Sequence, residues 1–206
     1  MYALDINAAK GAENTGARIT EMGKYKGKFT RAQHIVAKNT GTLGIDFDFV
    51  SDSGQKARFS IYTRKEDGTT IYGFKQLNAI MACLSLRGLN DPQMKKCKVY
   101  DYDLKREVEI EVPQFGELLE KPIGLLFTME EYDAGKWRPN LAGVFQAGTE
   151  LVASEILDRK TQPLQLAKMV QALRDKPMRS GGSGSMADGN RALAEAGSES
   201  SEDIPF

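Results

Sequence analysis

Two cysteines in 206 residues, Cys83 and Cys97, are too few and too far apart for a disulfide framework or a thiolate zinc cluster. Free thiols fit a reducing compartment. No run of about 18 or more apolar residues occurs, which excludes a membrane-spanning helix from the expectations. The opening MYALDINAAK has neither the basic start nor the apolar run of a secretion signal, so residence in the cytoplasm is expected. The one histidine, His34, sits in a strand-like stretch with no Cys or Asp at triad-like spacing. It reads as structural, or at most as a base-stacking ring. There is no GxxxxGK[ST] phosphate loop and no repeat of solenoid period.

Net charge is absent too, with 28 Lys plus Arg against 28 Asp plus Glu, yet the balance hides a division. Residues 180–206 hold one base, Arg191, and five acids, Asp188, Glu195, Glu199, Glu202 and Asp203, a net of −4. The preceding 179 residues therefore carry 27 bases against 23 acids, a net of +4. A basic body joined to an acidic tail points to a nucleic-acid partner. At 41% hydrophobic composition the chain can bury one core but not two large ones. The expected division is a folded domain over residues 1–179 and a tether over 180–206, where SGGSGSMADGN offers too little apolar surface to offset the entropy of ordering.

Residues 1–23, rich in Ala, Gly, Asn and Thr, read as a loose arm that contributes at most an edge strand. Tyr25 to Ala37 reads as a first strand, with Gly27 permitting a bulge. Ile45, Phe47 and Phe49 alternate with Asp46 and Asp48; after the SDSGQ turn, Ala57, Phe59 and Ile61 alternate with Lys56, Arg58, Ser60 and Tyr62. A hairpin closed by that turn pairs positions summing to about 106, so Phe47 meets Phe59 and Ile45 meets Ile61 in the core. Asp48 then faces Arg58 on the other side, and Tyr62 faces Gly44. A helix is predicted from Gly73 to Arg87, with Gly88 as its stop. A second hairpin follows, Lys98–Asp103 with Glu107–Val112, ended by Pro113. After a helical turn at FGELLE come a strand over Ile123–Tyr132, a loop DAGKWRPN, its partner Leu141–Ala147, and a last helix from an N-cap at Thr161 to Asp175.

Short antiparallel strands with a helix after the third suggest a mainly β fold, a β-barrel of OB-fold type, whose strand 2–3 face and connecting loops bind ligand. Which hairpin supplies the fourth barrel strand is left open. Single-stranded DNA presents phosphates and bare base faces, so a nonspecific binder needs cations along a groove and rings to stack on. The candidates are Lys24, Tyr25, Lys26, Lys28, Arg31 and Lys38 on or beside the first strand, Lys56, Arg58 and Tyr62 on the third, and Lys136, Trp137 and Arg138 in the later loop. A competing reading takes Asp46 and Asp48, with Asp101 and Asp103, as holders of a divalent metal in a nuclease or resolvase. Outward acids on a half-buried strand are the commoner arrangement, so no catalytic residue, metal or cofactor is expected.

The chain ends SESSEDIPF. Asp203, Ile204, Pro205 and Phe206 resemble the C-terminal tip of bacterial single-stranded DNA-binding proteins, although fewer acids precede them than is usual there. A terminal Phe offers an apolar ring and a carboxylate to one pocket, and the acids steer its approach. The stretches GKYKGKFTRAQ, TGTLGIDFDF and YGFKQLNAIMACL are similar to a phage-encoded family of replicative single-stranded DNA-binding proteins. That resemblance implies an OB-fold core, coating of single-stranded DNA in phage replication, recombination or repair, and recruitment of host or phage replication and repair proteins through the tip. No membrane partner is expected, and a homo-oligomer is compatible with the sequence.

Overall fold

Alternating apolar residues on neighbouring strands can share one core only if the strands pair in register, and the phenylalanines show that they do. A computed structural model of the chain describes residues 18–101 and 106–178. Its strands are β1 (Gly23–Val36), β2 (Leu43–Ser51), β3 (Lys56–Arg64), β4 (Gln93–Asp101), β5 (Arg106–Gln114), β6 (Pro122–Asp133) and β7 (Lys136–Phe145). Its helices are α1 (Tyr72–Cys83), α2 (Ala153–Leu157) and α3 (Gln165–Ala172), with a 3-10 turn at Gly116–Leu118. The fold is mainly β, with antiparallel strands throughout the sheet. Phe47 pairs with Phe59, Ile45 with Ile61, Asp48 with Arg58 and Gly44 with Tyr62, the register the turn length predicts. Phe29, Phe47, Phe59 and Phe127 pack ring against ring, at centroid separations of 4.6 Å for Phe29 and Phe47, 5.3 Å for Phe47 and Phe59 and 5.4 Å for Phe59 and Phe127.

β1 is long because it serves three neighbours. Gly23–Lys28 pairs with β6, Gly27–Val36 with β2, and Gln33 with Gln114 of β5. A register shift between Phe29 and Arg31 lets it bend between these tasks. The bulge falls at Thr30 and not at Gly27. Gly27 meets a different demand: a Cβ there would lie 2.1 Å from the Val50 carbonyl oxygen and 2.8 Å from the Phe49 ring. The β6–β7 pair thus attaches to the first half of β1, and the β4–β5 pair joins at the other end through its base. β7 packs beside β3, and among the described residues no ladder joins the two. The edge contribution expected of the N-terminal arm is a short parallel contact. Ile19 N donates to Lys56 O at 2.8 Å and the Ile19 side chain is buried.

Four sequence expectations need correction. α1 ends at Cys83, not Arg87, because Ser85 takes a left-handed φ of 56° and closes the helix, with Leu86 N donating to Met81 O at 2.8 Å and Ser85 N to Ala82 O at 3.1 Å. Pro113 does not end β5. It lies opposite Met94 inside the ladder, tolerated because β1 pairs with β5 only at Gln114. DAGKWRPN is not a loop: the turn is Ala134–Gly135, and Lys136, Trp137 and Arg138 open β7. The last helix starts at Gln165 rather than after Thr161, because Glu155 caps it from a distance, accepting from Leu164 N at 2.8 Å and Gln165 N at 2.9 Å. Among the described residues no helix is long and apolar enough to cross a membrane.

Candidate nucleic-acid interface

With Phe47, Phe49, Ala57, Phe59 and Ile61 pointing inward, pleating sends the alternate residues of β2 and β3 to the outer face. On β3 these are Lys56, Arg58, Ser60, Tyr62 and Arg64, all exposed. Tyr62 is 41% exposed, opposite the bare Gly44, so nothing on β2 covers its ring. Lys28 shares the outer face at the level of Lys56, since both lie opposite Val50. Lys38 is exposed in the turn between β1 and β2, at the Tyr62 end of the face. Three exposed cations and a ring thus follow one strand, and Lys28 widens the track. Arg64 was missed in the sequence reading, although the same alternation two residues beyond Tyr62 points to it.

The floor of this face is an ion network. The bulge at Thr30 turns Arg31 onto the outer face beside β2, where it is only 1% exposed. Its Nε and Nη2 donate to Asp48 at 2.7 and 2.9 Å, Nη2 also donates to Asp46 at 2.8 Å, and Nη1 donates to Gln33 at 2.7 Å. Asp46, 7% exposed, also accepts from Arg58 Nη2 at 2.7 Å, Arg58 Nε at 3.2 Å and Ser60 Oγ at 2.8 Å. Arg58 therefore leans on Asp46, and its contact with Asp48 is longer, at 3.9 Å. Burial alone would raise the Asp46 carboxyl, but hydrogen bonds from Arg58, Ser60 and Arg31 and the Arg31 charge hold it below its ordinary range. Burial likewise opposes the Arg31 charge, and Asp48 and Asp46 outweigh it, so its pKa lies above the usual value. Arg31 is thus corrected from a surface DNA contact to a buried part of the floor.

Cys97 of β4 lies opposite Ile110 of β5, and burial pushes its thiol up, with the Arg31 and Asp48 charges acting in opposite senses. The β4–β5 hairpin joins the sheet beyond β1, so it bounds the face on the side away from β3. Ile110 stays 40% exposed on this hairpin.

The other candidates lie off the β3 row. Lys24 and Lys26, also on β1, share Glu150, at 3.0 and 2.8 Å. Hydrogen bonds from Lys26 and Lys24 hold the Glu150 carboxyl low. Lys28 is paired with Glu120. These pairs are half exposed, worth little to stability, and their lysines remain within reach of an anion. Tyr25 faces inward, with its ring 6.0 Å from that of Phe127, so it is a packing residue with its hydroxyl bonded to Glu21 O at 2.9 Å. Trp137 is 42% exposed, but its partner is Glu131, beyond the level at which β6 meets the first residue of β1. Tyr62 is level with the other end of β1. The tryptophan and the β3 row therefore do not share one patch. Lys136 pairs with Asp133 at 2.6 Å; Arg138 pairs with Glu130 at 2.8 Å and lies 5.7 Å from the Tyr132 ring centre. His34 packs edge-on to Phe115, as a structural histidine would.

Asp46 and Asp48 are engaged by guanidinium groups, and among the described residues no three His, Cys, Asp or Glu side chains are grouped as a metal site requires. The Asp101 side chain, Asp103 and the tip Asp203, Ile204, Pro205 and Phe206 lie outside the described residues. No family model matches the chain, and no curated protein matches it.

Proposed function

We propose that the protein is a nonspecific single-stranded DNA-binding protein, without catalytic activity, that coats single strands during replication, recombination or repair. The observation that carries this reading is the row Lys56, Arg58, Ser60, Tyr62 and Arg64 on one exposed strand, joined by Lys28. The three cations of this row, with Lys28 beside them, can follow phosphates, while an uncovered tyrosine offers a stacking face that accepts any base. The hairpin-helix-hairpin order, with β6 returning to β1 and β7 lying beside β3, is what an OB-type barrel would need. In this reading the β4–β5 hairpin is inserted and β6 takes the place of the fourth barrel strand. Lys24, Lys26, Lys38, Lys136, Trp137 and Arg138 extend the contact beyond the β3 row. The tip Asp203–Phe206 recruits replication or repair proteins. The nuclease reading would require Asp46 and Asp48 to give up guanidinium partners for a metal, and the network favours the binding reading over it.

The test is anisotropy of labelled oligo-dT against protein concentration at several salt concentrations. Affinity is expected to fall as salt rises, and Lys56→Ala and Tyr62→Ala each to weaken it, Tyr62→Ala by about 1–3 kcal/mol. Salt-indifferent affinity, or wild-type affinity in both variants, contradicts the reading. Cleavage of labelled strands with magnesium or manganese, lost in Asp46→Ala, would favour the nuclease instead.

A further inference from the structure

We propose that Asp46 is a positioning residue that holds Arg58 as a preformed anion fork, so that this buried negative charge strengthens the binding of a polyanion. The inference rests on the single-strand reading and assigns a role inside the same face.

By charge alone the network is a poor place to bind phosphate. Two arginines, Arg31 and Arg58, meet two aspartates, Asp46 and Asp48, and cancel. The geometry divides the four groups unequally. Arg31 is buried and spends Nε, Nη1 and Nη2 inside the protein, on Asp48, Gln33 and Asp46. Its charge offsets the carboxylates from beneath. The Arg58 side chain is 48% exposed, and only its Nε and Nη2 edge is held, both nitrogens on one oxygen of Asp46. Among the described residues Nη1 of Arg58 has no hydrogen-bond acceptor. Asp46 itself cannot swing away: Ser60 Oγ fixes its other oxygen at 2.8 Å, and Arg31 bonds the same oxygen that Arg58 uses. A long side chain that would otherwise sample many rotamers is thus docked along its Nε and Nη2 edge, while about half of it stays open to solvent, on the exposed row between Lys56 and Ser60. A guanidinium fixed in this way meets a phosphate oxygen with less ordering left to do, and a lysine cannot reproduce the fork.

The sign of one substitution separates this role from simple electrostatics. Asp46→Asn removes a negative charge from an anion-binding face, so charge counting predicts tighter DNA binding. Positioning predicts the reverse. Oligo-dT anisotropy across a salt series would be measured for wild type, Asp46→Asn, Arg58→Lys, the double variant and Lys56→Ala, with a melting curve for each. Asp46→Asn is expected to weaken binding about fivefold to tenfold and to flatten the log affinity against log salt slope by about 0.7, the loss of one phosphate contact on a single strand. Arg58→Lys is expected to do the same although it keeps the charge, and Asp46→Asn should add little on that background, because the two act as one unit. Arg58→Lys alters an exposed side chain and keeps the test decisive should Asp46→Asn fail to fold; wild-type affinity and slope in that variant overturn the proposal. If wild type binds and Lys56→Ala weakens it, while folded Asp46→Asn binds as tightly as wild type or more so, the positioning role falls and the binding face stands. Absence of salt-dependent binding in wild type overturns both.

Discussion

Cutting Arg31 back to alanine would leave Asp46 and Asp48 facing each other with only Arg58, on a more exposed side chain, to offset them. Loss of one partner from a buried ion network costs about 3–5 kcal/mol, and here two neighbouring carboxylates would be left to share the half-exposed Arg58. Urea unfolding of Arg31→Ala is therefore expected to show a drop of that order, and a change under about 1 kcal/mol would mean that the network is not structural. The same site sets an acid limit. The Asp46 carboxyl is held below its ordinary value of 3.8, so the stability it contributes is present above that value and is lost as pH falls through its lower folded value. Thermal unfolding followed from pH 6 toward pH 2 should show a decline below about pH 4 that is shallower in Asp46→Asn. Of these residues the sequence disclosed a part. Alternation placed Lys56, Arg58 and Tyr62 on one face and paired Asp48 with Arg58. It did not disclose that Asp46 would be the closer partner, because that depends on a bulge at Thr30 turning a buried arginine from another strand toward it.

At the scale of elements, legibility followed the range of the interaction that decides each boundary. The β2–β3 register was readable because a short turn and a two-residue period fix it locally. The end of α1 was not, since a serine in a left-handed conformation did the work usually given to glycine. Nor was the start of α3, whose first amides are bonded by a carboxylate from the preceding helix. Glu155 is buried and also accepts from Val152 N at 3.1 Å, so it ties α2 and α3 together. Burial opposes its ionised form, and the backbone hydrogen bonds from Gln165, Val152 and Leu164 outweigh that and keep its pKa low. Glu155→Ala should speed amide exchange across Gln165–Ala172 while leaving the amides of β2 protected. Equal protection in the variant and wild type would show that α3 is held by its apolar packing alone, Leu166 and Met169 with Leu173 just past its end, against Leu126 of β6 and Phe145 of β7. Gly73 belongs to this scale as well. A Cβ there would come within 2.0 Å of the Tyr62 carbonyl oxygen, so the start of α1 can press against the strand that presents Tyr62 only because the residue is glycine.

For the whole molecule, the division of charge is the feature that composition alone conceals. Residues 1–179 carry net +4 and residues 180–206 net −4, and an acidic segment joined to a cationic face competes with DNA for it wherever the two can meet. Removal of residues 180–206 is therefore expected to tighten oligo-dT binding several-fold at low salt, with the difference shrinking as salt screens it. Unchanged or weaker binding would refute competition by the tail. The mainly β character and the cationic strand were legible from sequence, whereas the separation of Trp137 from the β3 row was not. It became visible only once β7 was seen to begin at Lys136 and to pair far along β6.

The most direct test asks where the strand lies. Ultraviolet crosslinking of oligo-dT to the intact protein, followed by digestion and mass spectrometry, reports the residues that touch bases. The proposed binding face predicts an adduct within Phe59–Arg64, centred on Tyr62, that fades as salt rises. Adducts confined to peptides outside β1–β3 would contradict the account.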